Sequence, residues 1–287
     1  MTARGFFYDA SGNVRAPWRL ATFIIACVLA YAVLEALLYP LIAGAASLAG
    51  ARFAIYPWLT LGATLLAHRF VFSTVERRRW EMVALDRSAL RPGAMATGAL
   101  LGALAVGVPS LVLLALGWLR ALPGEPGSSL GAAARIAIVL APAAFAEELL
   151  LRGYIFAVLR EKWGAVATLL ATSATFGLIH LSNQGATAQS VAVVAVAGVF
   201  LGMVLLVTGS LYAAFTAHLA WNWVLAGLLH TPVSGIPFAT PDYRIVDAGP
   251  DWATGGVWGP EGGAAAVLGM GAVMTYLYLR RDRREES

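Results

Sequence analysis

Long apolar stretches separated by short polar segments dominate the chain, and they do not alternate between apolar and polar positions. A helix that crosses a bilayer takes roughly 20 residues, whereas a membrane β-strand alternates over about ten residues. The pattern therefore predicts an all-α fold, a polytopic transmembrane helical bundle of about eight spans. The predicted spans cover residues 18–49, 53–72, 92–119, 132–159, 165–181, 188–207, 211–229 and 264–279.

Basic residues cluster in the polar segments on one side of this predicted bundle. Eight spans put both termini on that side, together with the loop at Arg77–Arg79, the turn with Arg160 and Lys162, and the tail Arg280–Arg284. The positive-inside rule places this side, and hence both termini, in the cytoplasm. The predicted organisation is a cytoplasmic segment (1–17), a single transmembrane domain (18–279) and a basic cytoplasmic tail (280–287).

Composition supports a membrane location. Hydrophobic residues make up 59% of the 287 residues and charged residues 13%, whereas soluble domains carry about 25% charged residues. The net charge of +4 comes from arginines beside the apolar stretches, so membrane orientation explains it and no nucleic-acid partner is expected. The single cysteine, Cys27, allows no internal disulfide. Arginine far above lysine, with abundant alanine and glycine, favours a bacterial protein of the cytoplasmic (inner) membrane.

Besides Arg135 near its start, the apolar stretch at 132–159 carries Glu147, Glu148 and Arg152 well inside it, where a charge is costly and points to function. Glu148 and Arg152 are four residues apart and share a helix face, so they are expected to form an ion pair. Glu147 is turned about 100° away and is expected to be a carboxylate free for chemistry. The alternative is that all three form a structural network.

Two further apolar stretches carry polar residues at helical spacing. Phe176 and His180 share one face, and His218 and Asn222 share another. Each pair alone has a structural explanation, as an interfacial histidine or a hydrogen bond between helices. Together with Glu147 they are explained more economically by one shared pocket. A carboxylate in an apolar setting can serve as a base, and His218 with Asn222 can stabilise an oxyanion.

The segments EELLLR (147–152), FGLIH (176–180) and HLAWN (218–222) resemble the three motifs of the CPBP intramembrane endopeptidases. This family includes the CAAX prenyl proteases and Abi-type, bacteriocin-processing proteins. The motifs occur in the family's order, within a catalytic core predicted at 132–229. The segment GGVWGPEGG (255–263) also resembles a loop of bacterial members.

The resemblance implies an intramembrane endopeptidase that hydrolyses a membrane-associated, prenylated or otherwise hydrophobic peptide. Glu147 and His180 would activate water, and His218 and Asn222 would stabilise the oxyanion. The supporting residues would be Glu148, Arg152 and Phe176. The natural substrate stays open. The partners implied are the lipid bilayer and a hydrophobic peptide or membrane-protein substrate, and no oligomeric state is predicted.

Two mechanisms are compatible with these residues. In one, Glu147, His180 and His218 form a His₂Glu zinc site that leaves a position open for water. In the other, no metal takes part. An HExxH pair, which would place two histidine ligands on one helix, does not occur in the sequence. The expectation is therefore a metal-free glutamate mechanism, with no cofactor favoured and zinc as the alternative.

Other functions fit less well. The main alternative is a catalytically silent scaffold or bacteriocin-immunity protein of the same fold. A transporter would favour repeated halves with broken helices, and a presenilin-like protease would need two aspartates at membrane depth. Neither feature is found in the sequence.

The position of the pocket in the membrane is the least determined expectation. Counted along the predicted spans, His180 lies about 12 Å further out than Glu147 and His218. The resemblance favours a pocket that opens to the cytoplasm. The loop at 231–260 is expected on the other side, as a connector and not a cap.

Overall fold

The computed structural model describes residues 3–45, 51–76 and 80–285, and most of these residues are helical. Two short strands, β1 (Leu119–Pro123) and β2 (Tyr243–Asp247), form the one sheet of this part of the chain. The helices are α1 (Ala3–Phe7), α2 (Ala16–Ala45), α3 (Ala51–Thr74), α4 (Pro92–Ala115), α5 (Ser129–Glu148), α6 (Ile155–Ile179), α7 (Ala188–Thr208), α8 (Leu211–Trp223), α9 (Asp251–Thr254) and α10 (Ala264–Glu285).

The helical bundle agrees with the predicted fold class. Each predicted span overlaps a helical segment, but among the described residues only four segments, not eight, are long and apolar enough to cross a membrane. These are Ala16–Leu41, Pro92–Ala115, Ser129–Ser182 and Ala188–Thr208, with a shorter apolar helix at Ala264–Arg280. The predicted basic loop at Arg77–Arg79 lies outside the described residues.

Glycines and short polar residues set the ends of the helices that build the bundle core. Gly164 has φ 74° and ψ 176° and divides the segment Ile155–Ile179 into two helices, at the turn that the sequence predicts. A capping box of Thr187 and Ser190 begins α7, and Gly209 in the left-handed region ends it. The hydroxyl of Ser210 then accepts a hydrogen bond from the backbone of Ala213 and begins α8. Such polar caps satisfy the free amides of a first helical turn.

Small residues let α4 and α8 approach each other closely. A Cβ atom added to Gly98 would lie 2.1 Å from the carbonyl oxygen of Ala213, and one added to Gly102 would lie 2.0 Å from that of Ala217. This is the small-residue packing common between membrane helices. It fixes the position of α8, the helix that carries His218 and Asn222.

The strand pair departs from the predicted all-α architecture. Strand β1 pairs antiparallel with β2, with Leu119 opposite Asp247 and Pro123 opposite Tyr243. The sequence predicts only loops or a helix end in these two regions. The strands were missed because each has only five residues and pairs with a segment distant in the chain. The sheet joins the loop after α4 to the loop before α10 at one end of the bundle.

An ion-pair network ties the opposite end together. Arg19 of α2 contacts Glu76 and Glu161, each at 2.6 Å, and the Tyr154 hydroxyl donates a hydrogen bond to Glu76. We call this end the basic end, because Arg15, Arg87, Arg91, Arg160 and Lys162 also lie in its loops and helix termini. Helix α2 leaves most of its apolar surface uncovered by protein, as expected of an integral membrane protein whose helix is covered by lipid.

Candidate active site

A break in the helix shapes the segment that carries the two glutamates. Glu147 and Glu148 end α5, and the chain then widens into a π-helical turn at Leu149–Tyr154. Gly153, with φ −82° and ψ −120°, is not helical. Single π turns occur frequently at functional sites. A second such turn, Val224–Leu228, begins two residues after Asn222.

The two glutamates have different surroundings, as the helical spacing predicts. The side chain of Glu148 is 0% exposed and pairs with Arg152 at 3.1 Å, whereas that of Glu147 is 35% exposed. Glu148 Oε1 also receives a hydrogen bond from His218 Nδ1 at 3.0 Å. This leaves His218 Nε2 directed toward Glu147, at 3.8 Å from its Oε2. Glu148 therefore orients the histidine, and Glu147 lies free at the surface of a cavity.

Arg152 joins this ion pair to two neighbouring helices. Its guanidinium lies 4.3 Å from the centre of the Phe176 ring, and Nη2 donates to the carbonyl oxygen of Gly198 in α7 at 3.1 Å. The ring of Phe176 in turn meets the rings of His180 and His218 edge to face, at 4.9 and 5.9 Å. Of the predicted supporting residues, Phe176 thus contacts both histidines. Glu148 accepts a hydrogen bond from His218 and is paired with Arg152.

His180 is oriented by its own helix. Its Nδ1 lies 2.7 Å from the carbonyl oxygen of Phe176, so Nδ1 carries the proton and Nε2 is left as an acceptor. The expected depth difference between His180 and Glu147 is not found, since both line one cavity. The two residues lie at nearly equal chain distances from Gly164, roughly 25 Å along each helix. The predicted difference in depth arose because the depth of each residue was counted from the ends of its own predicted span.

One cavity of about 390 Å³ brings all four predicted catalytic residues together: Glu147, His180, His218 and Asn222. A smaller space of about 30 Å³, enough for one water molecule, is lined by His180, His218 and Asn222 but not by Glu147. Val233, Ser234, Ile236 and Phe238 form part of the wall of the larger cavity. The expectation that the 231–260 loop is only a connector is therefore wrong. We call residues 233–238 the wall loop.

The sequence did not predict the role of Glu261, which holds the wall loop in place. This carboxylate is 6% exposed and accepts hydrogen bonds from Trp221 Nε1 at 2.7 Å, from Ser234 Oγ at 3.0 Å and from the Ser234 amide. It also lines the smaller space beside His218 and Asn222. The resemblance of residues 255–263 to a loop of bacterial relatives was the only signal in the sequence.

His68 of α3 is a second residue that the sequence did not single out. It is fully buried, its Nδ1 lies 2.7 Å from the Thr64 carbonyl oxygen, and its Nε2 accepts the Tyr154 amide at 3.2 Å. That amide is freed by the break at Gly153, where a Cβ atom would lie 2.6 Å from His68 Nε2. His68 therefore stabilises the break that follows Glu147 and Glu148.

The predicted zinc ligands fit a metal in donor type but not in arrangement. Both histidines offer Nε2 while Nδ1 is hydrogen-bonded, which is common for histidines that bind metals. Within residues 3–45, 51–76 and 80–285, however, no group of three or more His, Cys, Asp or Glu side chains is gathered closely enough to hold an ion. No step of the mechanism proposed below passes through zinc.

Comparison with known protein families finds a match to one segment of the chain. Residues 129–224 match the family model described as type II CAAX prenyl endopeptidase Rce1-like. The match spans α5 to α8 and contains every predicted site residue, so it confirms the resemblance to the CAAX-protease family, which is a family of peptidases. No curated protein and no solved structure matches the chain.

Proposed function

We propose that this protein is a CAAX-type intramembrane endopeptidase that hydrolyses a peptide bond in a membrane-associated hydrophobic peptide. The observation that supports this most strongly is the single cavity shared by Glu147, His180, His218 and Asn222. The cavity contains the partly exposed carboxylate of Glu147 and the imidazole of His180, whose Nε2 can accept a hydrogen bond. It also contains His218 and Asn222, the two candidate hydrogen-bond donors to the oxyanion. The family match supports the same class of reaction.

In the proposed first step, Glu147 acts as the general base. A water molecule bound between Glu147 and His180 Nε2 gives a proton to the carboxylate, and its oxygen attacks the carbonyl carbon. His180 orients this water, because its Nδ1–H is held by the Phe176 carbonyl and its Nε2 must accept. When the tetrahedral intermediate collapses, the carbon–nitrogen bond breaks. Glu147 gives its proton to the nitrogen as this bond breaks, so that the nitrogen leaves as a neutral amine.

His218 and Asn222 stabilise the oxyanion in this mechanism. The Asn222 amide donates directly, whereas His218 Nε2 can donate only when its ring carries both protons. Glu148, 3.0 Å from Nδ1, compensates that positive charge. Arg152 pairs with Glu148 and keeps it ionised. Donors fixed in advance around a developing charge are often the largest contribution to catalysis.

The proposal includes the membrane arrangement drawn from the sequence. The chain has eight spans and both termini in the cytoplasm, with one transmembrane domain at residues 18–279, and lies in a bacterial inner membrane. The helix positions and the arginine-rich basic end support this arrangement.

The function is tested by comparing peptides and protein termini, by mass spectrometry, in cells that express wild type or Glu147→Gln at equal levels. The exposed substitution Glu81→Gln is the matched control. We expect new C-terminal fragments with wild type and the control, and none with Glu147→Gln. Identical profiles from equally abundant, folded proteins would contradict the proposal and favour the scaffold or immunity role. Zinc present in one-to-one ratio, and lost together with activity on chelation, would overturn the metal-free mechanism.

A further inference from the structure

The catalytic cavity extends from Glu147 toward one end of the bundle. Its wall includes Val139 and Ala143 on the preceding turns of α5, and Asn183 just beyond the end of α6. Tyr56 and Pro57, near the start of α3, line it at the same end. The wall loop completes this set. We call this the loop end, since it also carries the β1–β2 sheet.

The opposite end of the cavity is closed by packed side chains. Glu148, Arg152 and Tyr154 follow Glu147 along the chain and are buried, and His68 contacts Tyr154. The Arg19–Glu76 pair lies beyond this layer.

A second cavity, of about 370 Å³, lies at the basic end but does not reach the catalytic residues. It is lined by Arg152, Arg160 and Glu161 and stops at the Glu148–Arg152 pair. Among the residues that the structure describes, neither Glu147 nor either catalytic histidine contributes to its wall. Access from the basic end would therefore require the buried ion pair to separate.

Charge distinguishes the two ends. The basic end carries the arginine-rich loops and termini, whereas the loop end carries Arg120 and Arg244 in its sheet together with the carboxylates Glu125, Asp242, Asp247, Asp251 and Glu261. Arginine and lysine accumulate in cytoplasmic loops, and this bias sets orientation. The basic end is thus the cytoplasmic end.

We infer that the catalytic cavity opens to the non-cytoplasmic face of the membrane. The substrate is then an apolar peptide segment that reaches the bilayer from that face, such as the membrane-proximal end of an exported protein. Apolar specificity follows from the wall, which includes Val139, Leu140, Val233, Ile236 and Phe238. This differs from the cytoplasmic opening that the family resemblance implies. The substrate assignment rests on the proposed function, whereas the direction of the opening does not.

Single cysteines test the direction of opening without any need for activity. In a Cys27→Ser background, Ala143→Cys reports on the cavity wall and Ala239→Cys on the exposed surface beside the wall loop. Ser88→Cys, exposed at the basic end, is the matched control. Each is treated with a membrane-impermeant maleimide in right-side-out and in inverted membrane vesicles.

We expect Ala143→Cys and Ala239→Cys to react in right-side-out vesicles, and Ser88→Cys only in inverted ones. Reaction of Ala143→Cys only in inverted vesicles, or in neither preparation, would overturn the inference. So would reaction of Ser88→Cys from the outside. If Ala143→Cys does not fold, Leu140→Cys takes its place in the wall.

The substrate class is read from the fragments that distinguish wild type from Glu147→Gln. Cleavage sites on the non-cytoplasmic side of their parent proteins are expected, and sites confined to cytoplasmic tails would overturn the substrate assignment. A complete lack of fragments would instead count against the proposed function, while the maleimide pattern would still report the direction of the opening.

Discussion

Glu261 offers a sensitive test of how the cavity wall is held. Its carboxylate accepts hydrogen bonds from Trp221, from the Ser234 hydroxyl and from the Ser234 amide. In Glu261→Ala, the Trp221 ring N–H and the Ser234 amide lose their acceptor, at about 1–3 kcal/mol for each buried donor left unpaired. Ser234 is only partly buried. We therefore expect the free energy of unfolding to fall by about 2–4 kcal/mol.

Glu261→Gln separates hydrogen bonding from charge. The glutamine oxygen can keep either the two Ser234 hydrogen bonds or the Trp221 hydrogen bond, but its amide group then faces the other donor, so a loss of about half that of alanine is expected. Because Ser234 lines the cavity, a loosened wall loop should raise KM for a peptide substrate more than it lowers kcat. The matched control is Glu125→Gln, at an exposed carboxylate of another loop.

Unfolding in detergent is followed by tryptophan fluorescence, and kcat and KM are measured with a peptide found by fragment profiling. The reasoning would be refuted if Glu261→Ala unfolded like the Glu125→Gln control. A fall in kcat alone, with KM unchanged, would show that Glu261 acts in the reaction itself and not through the wall loop.

The remaining predictions concern the ion pair, the helix break and the oxyanion site. Arg152→Met removes the arginine paired with buried Glu148 and leaves it only the hydrogen bond from His218, which should cost about 3–5 kcal/mol of stability. The double variant with Glu148→Gln should recover stability, and thermal unfolding that shows no recovery contradicts the pairing. Gly153→Ala places a methyl group against His68 and should lower the melting temperature, whereas an unchanged value contradicts the packing described here. Asn222→Ala should reduce kcat by about 100- to 1,000-fold with a smaller effect on KM, and an unchanged kcat would remove it from the oxyanion site.

Local spacing was sufficient to predict the contacts within each helix. Glu148 and Arg152, four residues apart, form the ion pair that helical geometry requires, and Glu147 points elsewhere. The hydrogen bond from His218 to Glu148 joins α8 to α5. It could not be predicted from spacing, because it depends on how these two helices pack against each other in the folded chain.

Residues whose role depends on distant packing were missed. Glu261 lies in a glycine-rich loop, and only the folded chain brings it to Trp221 and Ser234. A lone histidine such as His68 is usually a core residue, and its partner amide becomes available only because Gly153 departs from helical geometry. The strand pair was missed for the same reason, since β1 and β2 are far apart in sequence.

The central claim is that Glu147 hydrolyses peptide bonds in this cavity. The most direct measurement uses purified wild type and Glu147→Gln in lipid nanodiscs, with one identified peptide in heavy-oxygen water. The new C-terminal carboxylate should carry the heavy oxygen with wild type, and the rate should fall by about 100-fold or more with Glu147→Gln. Equal rates of labelled product from both proteins would contradict the account.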